Sequence, residues 1–116
     1  MVIGLRGDTL ITKGISQVDG VEVGKGVKRR VFVSSEHLML VHFELEEGSE
    51  IPMHEHFHEQ AGFLIKGRIR IITGEKEILL REGESYLIPS NEKHVVFALE
   101  YSQVLDVFFP PRKDFL

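Results

Sequence analysis

Apolar residues fall at alternate positions over short stretches of this chain, and nothing longer than a turn has helical spacing. Residues 31–33, 38–45, 63–65, 68–72, 78–80, 86–88, 95–99 and 104–109 are rich in β-branched and aromatic side chains. Arg68-Ile69-Arg70-Ile71 alternates polar and apolar, the period of a half-buried strand. Met39, Val41, Phe43 and Leu45 share one parity, with His42 and Glu44 on the other. Gly48, Gly62, Gly67, Gly74 and Gly83, helped by Pro52 and Pro89, punctuate these runs. Many short strands at near-regular spacing predict an all-β sandwich or jelly-roll barrel, an architecture that limits exposed strand edges.

The first thirty residues carry a weaker pattern. Six glycines, Gly4, Gly7, Gly14, Gly20, Gly24 and Gly26, are scattered among isolated Val and Ile, ahead of Lys28-Arg29-Arg30. This predicts a pair of edge strands or an arm that packs on a second subunit. The 116 residues are expected to form one domain, with 1–27 as that edge or arm and 28–116 as the barrel core. No internal repeat or low-complexity linker divides them.

Composition narrows the partners. Acidic residues outnumber basic ones, 18 to 14, which argues against nucleic acid and anionic membranes. The basic triplet at 28–30 reads as a solvated strand entry. With no cysteine there is no thiolate chemistry, so any metal must be held by nitrogen and oxygen. No signal-peptide pattern opens the chain and no apolar run has membrane-spanning length, which makes a cytoplasmic location the expectation.

Candidate chemistry centres on His54-Glu55-His56-Phe57-His58-Glu59-Gln60, with His94 downstream. Four of the chain's six histidines lie there, and imidazole is the commonest protein metal ligand. Positions 54, 56 and 60 have one parity, so a continuous strand would turn all three side chains to one side. His94 precedes a strand that can carry it back across a barrel. His58 shares the parity too, while His37 and His42 read as half-exposed strand residues without a role.

The spacing resembles a known family. Gly48, five residues, His54-Glu55-His56, three residues, Gln60, six residues and Gly67 match the first cupin motif, with Gln60 where glutamate is usual. Gly83, five residues, Pro89-Ser90-Asn91, two residues and His94 match the second, with Asn91 in place of glycine and Ala98 in place of asparagine. The resemblance implies a cupin jelly-roll barrel (a double-stranded β-helix) with one divalent metal held by His54, His56, Gln60 and His94. Such nitrogen and amide-oxygen donors suit Ni, Zn, Fe or Mn better than Ca or Mg. His58 is then a pocket group or a residue supporting a ligand. An ordinary hydrogen-bonding glutamine is the competing reading of Gln60.

From residue 27 onward the chain further resembles small cupins of the pectin-degradation KdgF group. The His-x-His-x-His-Glu-Gln stretch, the segment from Gly83 to Asn91 and the tail from Val104 to Leu116 carry that similarity. Lys93 departs from a proline often found there. The resemblance implies opening and tautomerisation of 4,5-unsaturated uronic acids, with Asp106 and Arg112 as the catalytic pair. Asp106 shares parity with Val104 and Phe108, so a carboxylate on an apolar face should have a raised pKa. Arg112 follows Pro110-Pro111 and can fork onto a sugar carboxylate. A structural ion pair between Asp106 and Arg112 is the alternative.

The expected function is therefore isomerisation of a small anionic sugar. A metal-dependent oxygenase and a non-enzymatic ligand-binding or sensor cupin are the rival readings. A homodimer is expected as well, because Leu105, Val107 and Phe109 lie on the strand face opposite Asp106.

Overall fold

A computed structural model describes residues 10–54 and 56–116. Among the described residues are ten strands: β1 (Val21–Gly24), β2 (Val27–Ser34), β3 (Met39–Leu45), β4 (Glu50–His54), β5 (Glu59–Lys66), β6 (Arg68–Thr73), β7 (Lys76–Arg81), β8 (Ser85–Ile88), β9 (His94–Ala98) and β10 (Ser102–Phe109). The only helical elements among the described residues are 3-10 turns at Ile15–Gln17 and Lys113–Phe115. All eight apolar stretches fall on strands, with Leu38 and Leu99 just outside β3 and β9.

The strands form two antiparallel sheets, one in the order β1-β2-β3-β10-β5-β8 and the other β4-β9-β6-β7. Apolar side chains of one parity fill the space between them. Val41, Leu45, Leu64, Val104 and Phe108 of the larger sheet belong to one buried cluster with Ile69, Ile71 and Val96 of the smaller. Each such burial is worth about 1.5–3 kcal/mol relative to exposure. This is the jelly-roll arrangement that the alternation predicts.

Two strands were not visible in the hydrophobic pattern. β1 is exposed along its whole length and hydrogen-bonds only to β2, so it has no buried face to mark it. β1 lies at the edge of the larger sheet within the segment expected to be edge strands or an arm, and residues 1–9 of that segment lie outside those described. β4 contains Pro52 and lies at the edge of the smaller sheet, where a missing backbone donor is tolerated.

Three local expectations are corrected. Gly62 is interior to β5 and terminates nothing. His42 is buried, stacked on Phe32 at 5.9 Å between ring centroids and hydrogen-bonded through Nε2 to Gln103 Oε1 at 3.0 Å. Its polar parity conceals a small outer-face network: Tyr101 donates to Glu44, and Glu44 also pairs with Arg30. His37 lies in an exposed bend between β2 and β3, outside either strand.

Candidate functional site

β4 ends at His54 and β9 begins at His94, and the two residues are cross-strand partners. Their rings lie 4.1 Å apart between centroids, with His56 at 5.5 Å from His54 and 5.4 Å from His94. His56 belongs to the turn joining β4 to β5, and Gln60 is the second residue of β5. The continuous strand expected through 54, 56 and 60 therefore does not form. Convergence instead comes from a turn between sheets, closed by β9. Its backbone is pinned where Asn91 N–H donates to the His56 carbonyl at 2.7 Å. Asn91 adopts φ +63°, which explains its tolerance at a motif position usually occupied by glycine.

Each of the three rings has Nδ1 against a backbone carbonyl. His54 reaches Pro52 O at 2.7 Å, His56 reaches His58 O at 2.9 Å and His94 reaches Glu92 O at 2.8 Å. With Nδ1–H donating, Nε2 carries the free lone pair, the tautomer a metal ligand needs. One ligand atom from each ring lies within 4.8 Å of the others, so the triad could hold a metal ion. The Nε2 atoms of His56 and His94 are buried without a hydrogen-bond partner, as is Gln60 Oε1. Burying acceptors without partners is costly, and a divalent cation would satisfy all of them. The donor set fits such an ion.

Electrostatics favour the ligand form. Burial pulls the His94 imidazole down to about 4, against the hydrogen bond to the Glu92 carbonyl, with the His54, His56 and Arg112 charges adding to the lowering. Burial also lowers His56, and the nearby Arg112 guanidinium adds to the shift. Both rings are neutral at pH 7. His58 is buried, but its ring is no part of the converging triad; its carbonyl orients His56.

Asp106 sits in β10 between β3 and β5, facing inward with Val104 and Phe108. Burial pushes its carboxyl up to about 6, against hydrogen bonds from Tyr86 and Gln60 that pull the other way. Tyr86 Oη donates to Asp106 Oδ1 at 2.6 Å. Arg112 does not pair with Asp106. It gives Nε and Nη2 to Asp114 at 3.1 and 2.9 Å and lies over the Phe115 ring at 4.2 Å. The structural ion pair considered from sequence is absent among the described residues.

His54, His94, Gln60, Asp106 and Arg112 all line one cavity of about 640 Å³, with Tyr86 at its wall. This volume is ample for a small ligand. The surroundings are mainly apolar. Tyr86 was missed in the sequence because its role depends on pairing across three strands. An interior glycine at 62 is the local signal that a neighbouring group comes close.

An antiparallel jelly roll with a histidine triad between its sheets defines a class, and the chain belongs to the cupin family: the family model for the cupin domain matches residues 41–108. Among particular proteins, the chain is 39% identical over 98 residues to the pectin degradation protein KdgF of Dickeya dadantii (strain 3937), covering 82% of this chain and 88% of that one. The solved structure of KdgF from Halomonas sp. superposes with a TM-score of 0.81 at 29% identity, covering 84% of this chain and 91% of that chain. An RmlC-like cupin from Shewanella frigidimarina NCIMB 400 superposes with a TM-score of 0.86 at 25% identity, covering 90% and 95%.

Proposed function

We propose that this protein is a metal-dependent isomerase of a small unsaturated uronic acid of the kind released from pectin, opening the sugar ring to a linear keto acid. The observation that carries the reading is Asp106: a buried carboxyl, raised towards neutrality, in the cavity that His54 and His94 of the histidine triad line. Similarity to two KdgF proteins supplies the substrate class.

His54, His56, His94 and Gln60 are the proposed metal ligands. A divalent ion bound there supplies Lewis-acid polarisation of a substrate oxygen. The four ligands are neutral, so the site retains the cation's charge and favours an anionic substrate. Arg112 lines the same cavity and is assigned to the substrate carboxylate.

Asp106 moves the proton. Ring opening of a 4,5-unsaturated uronate removes a proton from the C1 hydroxyl, breaks the bond from C1 to the ring oxygen and leaves an aldehyde at C1 and an enol at C5. Ketonisation then places a proton on C4. The net change is isomerisation, with one proton leaving oxygen and one arriving at carbon. A carboxyl with a pKa of about 6 can both accept and return a proton near neutral pH. The apolar walls formed by Phe108 and Val104 limit water around it.

Incubation of metal-loaded protein with an unsaturated uronate, followed by proton NMR, tests the assignment. Loss of the vinyl C4 proton and appearance of the linear keto acid is the expected result. An unchanged vinyl signal with bound sugar would leave a binding protein in place of an isomerase.

A further inference from the structure

Gly62 is the register partner of Asp106 on one side and of Tyr86 on the other, so the three residues form a row across β10, β5 and β8. Strands two apart are separated by roughly 9.5 Å, and side chains in such a row normally meet only the central one. Here the central residue has no side chain. A Cβ at Gly62 would lie 2.1 Å from Tyr86 Cζ, 2.4 Å from its hydroxyl and 2.3 Å from Asp106 Oδ1. The space a side chain would fill is the space through which the phenol reaches the carboxyl.

We infer that Tyr86, admitted by Gly62, is a positioning residue that fixes the orientation of the Asp106 carboxyl for proton transfer. The inference rests on the function proposed above for Asp106. The terminal torsion of an aspartate is soft, so an isolated carboxyl rotates over a broad range. A phenol on a rigid ring, bonded at 2.6 Å to Oδ1, removes that freedom. Asp106 has no cationic partner among the described residues to orient it instead. Its remaining protein hydrogen bond comes from Gln60, itself anchored on β5. A carboxylate offers about four acceptor sites, so two bonds to protein leave room for a substrate hydroxyl. Tyr86 is half-buried, and burial of its hydroxyl beside the Asp106 carboxyl pushes it well above its ordinary pKa, so it serves as a donor only. It does not exchange the proton.

The metal-loaded full-length Tyr86→Phe protein tests this, because it keeps the ring and its packing and deletes only the donor. Supporting residues of this kind are worth about 10–100-fold. The expected result is a kcat lower by that factor, with KM and metal content within about twofold of wild type. Replacing Tyr86 by 3-fluorotyrosine, which retains the donor, should restore kcat. A crystal structure of Tyr86→Phe should show the Asp106 carboxyl rotated or in two orientations. Unchanged kcat in an active wild-type background, or an unmoved carboxyl in the crystal, overturns the inference. A wild-type protein without turnover would instead defeat the proposed function, and the crystal alone would then decide the positioning role.

Discussion

Burial acts on Asp106 and His94 in opposite directions, and pH separates the two effects. The carboxyl rises from 3.8 to about 6, so between those values the folded protein keeps a proton that the unfolded chain has released. Asp106 therefore removes stability as pH rises through that window, by about 3 kcal/mol once it is complete. The imidazole falls from 6.5 to about 4, so the unfolded chain binds the extra proton and stability is lost as pH falls through 6.5 towards 4. Asp106→Asn in the metal-free protein should accordingly raise the urea midpoint at pH 7.5, with the gain gone by about pH 4. Denaturation at the two pH values checks it, and an equal shift at both would contradict the burial account. Gln60 bears on charge. Gln60→Glu should keep the metal, by elemental analysis, but weaken binding of an anionic sugar acid in calorimetry, because it neutralises part of the cation's charge. Unchanged anion affinity in the loaded variant would remove the charge argument.

Elements explain what was legible in the sequence and what was not. Strands with one buried face, such as β3 and β10, were readable because burial imposes period two on them. β1 lacks a buried face, and β4 carries Pro52 at a sheet edge, so neither announces itself. Motif spacing singled out His54, His56, Gln60 and His94 as candidate ligands, but parity misdescribed how they meet, because a turn interrupts the strand at 56. The row Asp106–Gly62–Tyr86 is a matter of register between strands distant in sequence, which no local pattern encodes. The C-terminal turn adds another such contact. Asp114 occupies the Nε and Nη2 edge of Arg112, the edge a substrate carboxylate would take in a bidentate grip. Asp114→Ser should free that edge and lower KM for an unsaturated uronate about two- to fivefold at constant kcat, since exposed pairs are worth roughly 0.2–1 kcal/mol. A higher KM in steady-state assays would mean that Asp114 orients Arg112 instead of competing for it.

At the scale of the whole molecule, the two faces of the larger sheet differ in consequence. The inner face builds the core and the site, while the outer face leaves Phe63, Leu87, Val107 and Phe109 exposed on β5, β8 and β10. We propose that a second copy covers this face in a symmetric homodimer. Light scattering at micromolar concentration should give twice the chain mass, and Val107→Asp should reduce it to a monomer. A monomeric wild type would contradict the proposal. The proposed metal site and the proposed dimer face can be tested separately, because His54 and His94 line the cavity between the sheets, away from the outer face. The proposed activity, isomerisation of an unsaturated sugar acid, needs both a bound metal and Asp106. The most direct measurement follows the ultraviolet absorbance of the conjugated uronate with chelated, metal-restored and Asp106→Asn protein side by side. Loss of absorbance with the metal-restored protein, at a rate at least about 100-fold above the chelated and Asp106→Asn samples, is the predicted result. Equal rates in all three, or stable absorbance in all three, would contradict it.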